Sequence, residues 1–177
     1  MLPTADSFKS SLLSLSPTTV LPTGVAVFVG ALADFMNQVQ ATGGTPGIFT
    51  FNNAIMISLL LPMPLAPDSS WIPGFVSAWT TAVTASIITP GTVSNPVWIG
   101  SGGFDAVTLP LAAATILTIP AAATLLTTGL GAVPTSNDQT LAFATAIRNA
   151  TLGFVFTCIG LGPPPPLTPI PLPLAAQ

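Results

Sequence analysis

The chain contains 177 residues, of which 50% are hydrophobic and only 4% are charged, and its formal net charge at pH 7 is −3. Because about a quarter of the residues of an ordinary soluble domain are charged, this composition lies far outside the usual range. The two cations, Lys9 and Arg148, cannot provide the basic surface that displaces counterions from phosphates, so we expect no binding to nucleic acid.

The first residues have the pattern of a short helix. Thr4 can cap a helix that starts at Ala5, and Asp6 then lies in the first turn, where the helix dipole favours an anion. Apolar side chains follow at helical spacing, at Phe8, Leu12 and Leu15. Pro17 ends this helix, and because the first six residues carry no basic region we expect no signal peptide.

The clearest amphipathic helix is predicted for residues 22–40. One apolar stripe runs along it, formed by Val25, Phe28, Leu32, Phe35, Met36 and Val39. A cluster of glycine, threonine and proline at residues 43–47 then predicts a turn. Residues 49–61 are mostly apolar and end at a proline-rich stretch, and their pattern fits either a helix or a buried strand.

A row of large apolar residues predicts the next helix. The row recurs every four positions, at Trp71, Phe75, Trp79, Val83 and Ile87. The helix is predicted to begin near Ser70, with Pro73 tolerated in its first turn, and to end at Pro90. Residues 92–105 contain several helix-breaking residues and are predicted to form a loop or an extended segment.

A local repeat follows, in which residues 109–118 resemble residues 119–128. Each copy places a proline ahead of an alanine-rich run, as at the start of a helix, so we predict two short helices or one helix kinked at Pro120. Ser136 and Gln139 form a capping-box pattern ahead of a further helix. Beyond that helix, residues 154–159 are predicted to be extended.

The chain ends in a proline-rich segment. Four consecutive prolines precede an alternation of proline with apolar residues that includes Ile170 and Leu172. Such a sequence favours an extended polyproline conformation, which cannot form a core of its own. We therefore predict a mainly α-helical fold of several short helices broken by proline and glycine, with extended loops and room for minor β structure. Residues 1–161 are expected to form a single compact domain, and residues 162–177 an extended arm.

The residue types that carry catalytic chemistry are nearly absent. The chain contains no histidine, glutamate or tyrosine, so a serine nucleophile has no histidine base and a metal ion has few side-chain ligands. Cys158, the only cysteine, lies in an apolar run and is expected to be buried and unreactive. We therefore expect a protein that is not an enzyme and that uses no metal, cofactor or small-molecule ligand.

The low charge indicates a surface that is covered in the working protein. An uncharged surface aggregates when it is exposed to water, whereas interfaces within oligomers are depleted in charged residues. We therefore predict a structural subunit of a large symmetric assembly, in particular a virus or bacteriophage virion component such as a capsid, tail or baseplate protein. Its partners would be copies of itself and other subunits of the same particle. We expect inter-subunit contacts at Trp71, Phe75, Trp79, Arg148, Pro163, Pro164, Pro165, Pro166, Ile170 and Leu172.

The alternative is a small multi-spanning integral membrane protein, channel-like or holin-like. Residues 69–104 and 106–137 contain no acidic or basic side chain, and each segment exceeds the roughly 20 residues that cross a bilayer. Proline and glycine interrupt both segments, however, and the loops lack the basic residues that usually set membrane orientation. A carrier of an apolar ligand would need an internal cavity, on which the sequence is silent.

Overall fold

A computed structural model gives the fold of this chain and describes residues 2–15, 21–40, 44–45, 48–63, 69–89, 92–93, 109–116, 118–160 and 171–176. The described residues are mainly helical, with short strands, as the sequence predicts. The predicted loop lies outside the described residues from residue 94 onward, and so do Pro163, Pro164, Pro165, Pro166 and Ile170.

The described part of the chain contains six α-helices. The helices are α1 Ala5–Leu13, α2 Leu21–Met36, α3 Asn53–Leu60, α4 Ile72–Thr84, α5 Ile119–Gly131 and α6 Gln139–Leu152. Each helix contacts the next one along the chain, and α6 also contacts α1, so the helix contacts run in a closed ring. Short 3-10 turns at Ser69–Trp71 and Val133–Thr135 precede α4 and α6.

Short strands accompany the helices, and all of their pairings are antiparallel. The strands are β1 Gly44–Thr45, β2 Ile48–Thr50, β3 Ile87–Thr89, β4 Thr92–Val93, β5 Leu109–Ile116, β6 Val155–Gly160 and β7 Pro171–Ala175. One sheet has the order β1-β4-β5-β6-β7, and β2 pairs separately with β3. Residues 171–175 therefore form a paired edge strand.

The two N-terminal helices are confirmed. The Thr4 hydroxyl accepts a hydrogen bond from the Ser7 N–H at 3.2 Å and caps α1. Phe8 of α1 stacks on Phe35 of α2, with ring centroids 4.3 Å apart, and this contact joins the two helices. Of the predicted stripe of α2, Val25 and Phe28 are only partly buried, and the other members are buried. Helix α2 also buries Val29 and Ala33, which the stripe did not include.

The ambiguous segment over residues 49–61 contains both a strand and a helix. Phe49 lies in β2, and the Asn52 side chain accepts a hydrogen bond from the Ile55 N–H at 3.1 Å, which caps α3. The Asn52 N–H donates to the Ser86 hydroxyl at 3.1 Å, so the same residue also ties this turn to the end of α4. An asparagine thus separates two elements that the apolar pattern alone does not distinguish.

The aromatic helix is confirmed as α4, but the row of apolar residues does not continue to its predicted end. Phe75, Trp79 and Val83 are buried on one face. Ile87 lies beyond the helix in β3 and is 67% exposed. Because α4 ends at Thr84, the four-residue spacing no longer places Ile87 on the helix face.

The prediction for the local repeat is wrong in its first half. Residues Leu109–Ile116 form strand β5, whereas the second copy forms α5 with Pro120 in its first turn. Strand β5 pairs with β4 on one side and with β6 on the other. Backbone pairing on both sides therefore outweighs the helix preference of an alanine-rich sequence, which is a weak local effect.

The capping residue of α6 also differs from the prediction. The Asp138 carboxylate, and not the Ser136 hydroxyl, accepts the hydrogen bond from the first turn, from the Leu141 N–H at 3.0 Å. The Ser136 hydroxyl instead accepts a hydrogen bond from the Asp138 N–H at 3.2 Å. Ser136 thus orients the residue that caps the helix.

Helices α5 and α6 pack closely because small residues face each other. A Cβ atom added to Gly129 would lie 2.7 Å from the Cβ of Ala146, which is closer than side-chain carbons normally approach. The Thr118 hydroxyl, just before α5, donates to the Gly153 carbonyl at 2.7 Å and accepts from the Val155 N–H at 2.8 Å. These contacts fix the turn between α6 and β6 against the start of α5.

Candidate subunit interface

The three aromatic residues predicted to contact neighbouring subunits differ in exposure. Phe75 and Trp79 are only 4% and 0% exposed, so their side chains lie inside the core of this chain. Trp79 stacks on Phe154 with ring centroids 5.7 Å apart, and its indole N–H points to the Met36 sulfur at 3.3 Å. Trp71 is partly exposed, so it is the member of the trio that offers surface to a partner.

Trp71 belongs to an aromatic patch that joins several helices. Phe75 makes edge contacts with Trp71 and with Phe143, at centroid distances of 5.7 and 5.6 Å. Phe28 of α2 lies 5.8 Å from Phe143. Trp71, Phe28 and Phe143 are all partly exposed, whereas Phe75 is buried. The patch formed by these four residues therefore extends from the core to the surface. The sequence gives no signal for Phe143, because it belongs to a helix without a strong apolar stripe.

The charged residues are unevenly distributed over the fold. Those that the structure describes are Asp6, Lys9, Asp34, Asp138 and Arg148, and they lie on α1, on α2, and on α6 or its cap. Helices α3, α4 and α5 carry no charged residue, and α4 contacts both of the others. We call their exposed residues the uncharged helical surface; they are Asn53, Ala54, Ser58, Leu59, Pro73, Gly74, Ser77, Thr81, Thr84, Pro120, Ala121, Thr124, Leu125, Thr127, Thr128 and Gly131.

The threonine hydroxyls of this surface already donate hydrogen bonds within their own helices. On α4, Thr81 donates to the Ser77 carbonyl at 2.9 Å and Thr84 to the Thr80 carbonyl at 2.8 Å. On α5, Thr124, Thr127 and Thr128 make the same bond to the carbonyl four residues earlier, at 2.9 to 3.0 Å. Covering these five threonines therefore leaves none of their hydroxyl donors unsatisfied, which lowers the cost of removing them from water.

Both cations of the chain are used to attach the N-terminal segment to α6. The Lys9 ammonium pairs with the Asp138 carboxylate at 2.5 Å, and the Arg148 Nε donates to the Pro3 carbonyl at 3.0 Å. Arg148, which the sequence analysis predicts as an inter-subunit contact, thus has a backbone partner in its own chain. Lys9 and Arg148 therefore both make contacts within the chain, between elements that are far apart in sequence.

Asp138 carries two roles at the start of α6. Its carboxylate accepts a hydrogen bond from Lys9 and another from the Leu141 N–H, and these two bonds, with the charge of Lys9, hold the pKa of Asp138 below its ordinary value of 3.8. The same side chain therefore caps α6 and fastens α1 to it.

We expect the free energy of unfolding to decrease as the pH is lowered through the range where Asp138 takes up a proton. Because its pKa is lower in the folded chain, its contribution is fully present above pH 3.8 and is lost as the pH falls through the folded pKa. Unfolding free energies of wild type and Asp138→Asn, measured across this range, should differ most above pH 3.8 and converge below the folded pKa. A difference that stays constant with pH would show that the carboxylate charge does not contribute.

The C-terminal candidate residues are only partly described. Leu172 lies in β7, opposite Cys158 of β6 in the strand register. The remaining candidates of this segment lie outside the described residues. Within the described part, the segment is held by its own chain through backbone pairing.

A groove of about 340 Å³ lies between α1 and α2. The Ser11 and Ser14 hydroxyls that line it donate to carbonyls of the preceding turn, and the Gln38 amide donates to the Asp34 carbonyl at 2.9 Å. Asp34 is the only charged residue among those that line the groove. One exposed carboxylate without a neighbouring base or cation does not form a catalytic arrangement.

Nothing in the described ranges of the chain assembles a metal site, since no three potential metal-ligating side chains come together there. Among the described helices, none combines the length and the hydrophobicity needed to span a bilayer. Comparison with known protein families, with characterised proteins and with solved structures gave no match.

Proposed function

We propose that this chain is a non-enzymatic structural subunit of a large symmetric assembly, a virus or bacteriophage virion component being the class that fits best. The observation that carries the proposal is the uncharged helical surface on α3, α4 and α5. It includes Leu59 and Leu125, which are 38% and 48% exposed, and it lacks the charged groups that keep a monomer soluble.

The hydrogen bonds of this surface support burial against protein. Interfaces within permanent oligomers resemble a domain core, in which each polar group has a partner. The exposed threonine hydroxyls of α4 and α5 already donate such a bond before any partner arrives. The aromatic patch around Trp71 supplies the kind of partly buried anchor that often dominates binding energy.

A charge placed on the uncharged helical surface should block assembly without unfolding the chain. We expect Thr81→Lys or Thr124→Lys to raise the concentration needed for assembly at least tenfold, because covering an unpaired ammonium group costs several kcal/mol. Ser10→Lys is the matched control, because Ser10 is also an exposed helical hydroxyl that donates to the carbonyl four residues earlier, at 2.9 Å. Ser10 lies on α1, among the charged elements, so this variant should assemble as wild type does.

Sedimentation velocity measures the outcome, and circular dichroism verifies that the helices are retained. A wild-type chain that stays monomeric at micromolar concentration would refute the proposal. Recovery of the chain from its natural source only in detergent-extracted membranes, and not in a sedimenting particle, would favour the membrane protein instead. Equal sedimentation of Thr81→Lys and Ser10→Lys particles would show that the uncharged helical surface is not the interface.

A further inference from the structure

Strand β7 lies at the edge of its sheet and pairs with β6. The register places Ala175 opposite Val155 and Pro173 opposite Thr157. The Ala176 N–H donates to the Phe154 carbonyl at 3.0 Å. Because hydrogen-bonded and non-hydrogen-bonded pairs alternate along an antiparallel ladder, the backbone N–H and C=O groups of Leu172 and Leu174 also point towards β6. The backbone polar groups of the alternate residues, Pro171, Pro173 and Ala175, point towards the open edge.

The proline pattern allows β7 to pair with another strand along only one of its two edges. Proline has no N–H to donate, so it is tolerated only where the backbone nitrogen faces away from the neighbouring strand. Pro171 and Pro173 occupy those positions, so among residues 171–175 only Ala175 directs an N–H donor to the open edge. A further strand cannot form a regular ladder there, so β7 can end a sheet but cannot extend it.

Strand β6 is fixed independently of β7. It pairs with β5 on its other side, and the Thr118 hydroxyl holds the N–H of Val155 at 2.8 Å. Phe154 and Phe156 are buried in the core, with 0% and 3% exposure. The edge that receives β7 is therefore held in place by the core and by β5, whichever chain supplies the strand.

The connection between the two strands is longer than pairing within one chain needs. Ten residues, 161–170, separate the end of β6 from the start of β7. Antiparallel neighbours are usually joined by about 2–5 residues. Ten residues can span up to about 33 Å, which is comparable with the diameter of a small domain.

We propose that neighbouring copies of this chain exchange their C-terminal strands, so that β7 of one copy pairs with β6 of the next. The occupant of the β6 edge is then residues 171–176 of a second copy. Exchange preserves every backbone hydrogen bond of the ladder, which makes it a low-cost way to link subunits. This inference rests on the proposed assembly, because exchange requires a neighbouring copy.

A cross-link between the two strands tests the exchange. Val155 and Ala175 form a non-hydrogen-bonded pair, in which Cα atoms lie about 4.5 Å apart, a separation that a disulfide can bridge. The full chain carrying Val155→Cys and Ala175→Cys, with Cys158→Ser to remove the native thiol, would be assembled, oxidised and run on a denaturing gel without reductant. Strand exchange gives covalent dimers and larger species as the main products. A monomer with an internal disulfide as the main product would overturn the proposal.

A register variant provides the matched control. Exchanging the prolines and leucines, as Pro171→Leu, Leu172→Pro, Pro173→Leu and Leu174→Pro, keeps the composition but turns the prolines towards β6. In this background the covalent oligomers should fall at least tenfold, because the ladder loses its donors. Unchanged cross-linking would contradict the assigned register. If the wild-type chain does not sediment as a particle, the proposed assembly fails and exchange fails with it, whereas particles with internal disulfides refute exchange alone.

Discussion

Replacing Trp79 with alanine is expected to destabilise the fold by about 3–5 kcal/mol, a large part of the 5–15 kcal/mol that holds an ordinary domain together. Trp79 is fully buried, stacks on Phe154 and directs its N–H to the Met36 sulfur. Its removal leaves a large cavity between α2, α4 and the start of β6. Chemical denaturation followed by circular dichroism measures the loss.

Trp71→Ala is the matched comparison, because it removes the same side chain from a partly exposed position on the same apolar row. We expect a stability loss well below that of Trp79→Ala, together with weaker assembly, since Trp71 is one of the partly exposed members of the aromatic patch. Similar losses of stability for the two variants would mean that Trp71 is also a core residue. Normal assembly of Trp71→Ala would remove the aromatic patch from the interface.

The elements that local signals define could be predicted from the sequence. The Thr4 cap, the apolar stripe of α2 and the aromatic spacing of α4 each depend on residues within one or two turns. The paired strands could not be predicted in the same way. Leu109–Ile116 reads locally as the start of a helix, and only its pairing with distant β4 and β6 makes it a strand.

The sequence predicts that the protein has a covered, uncharged surface, but it does not predict which residues form that surface. Low charge indicates a covered surface, but periodicity cannot say which residue of an apolar row lies at the rim. Trp71 and Trp79 have the same spacing signal, but Trp71 is partly exposed whereas Trp79 is fully buried. The pairing of Lys9 with Asp138 joins residues 129 positions apart, which no local pattern reveals. The sequence also does not indicate that the threonines of α4 and α5 belong to the candidate interface, because their hydroxyl groups find hydrogen-bond partners only in the folded helix.

The close packing of α5 against α6 leads to the second large effect, at Gly129. We expect Gly129→Ala to destabilise the chain by about 1–3 kcal/mol, because the new methyl group would meet the Ala146 Cβ at 2.7 Å. This loss should appear even though alanine favours a helix over glycine by about 1 kcal/mol. Gly131→Ala is the control in the same helix, since a Cβ there has no neighbour within 4 Å, and it should be neutral or slightly stabilising.

A compensating change makes this test specific for the helix contact. Ala146→Gly removes the atom that the new methyl group would strike, so the double variant should recover part of the stability lost in Gly129→Ala. Additive effects in this cycle would show that the two residues do not touch. Because Gly129 lies on the α6 side of α5 while Thr124 and Thr128 face outwards, Gly129→Ala should weaken assembly only through the fold, in proportion to its loss of stability. Thr124→Lys should do the reverse and weaken assembly at unchanged stability. Together, the two variants distinguish the face of α5 that packs against α6 from the face that is proposed to contact a neighbouring subunit.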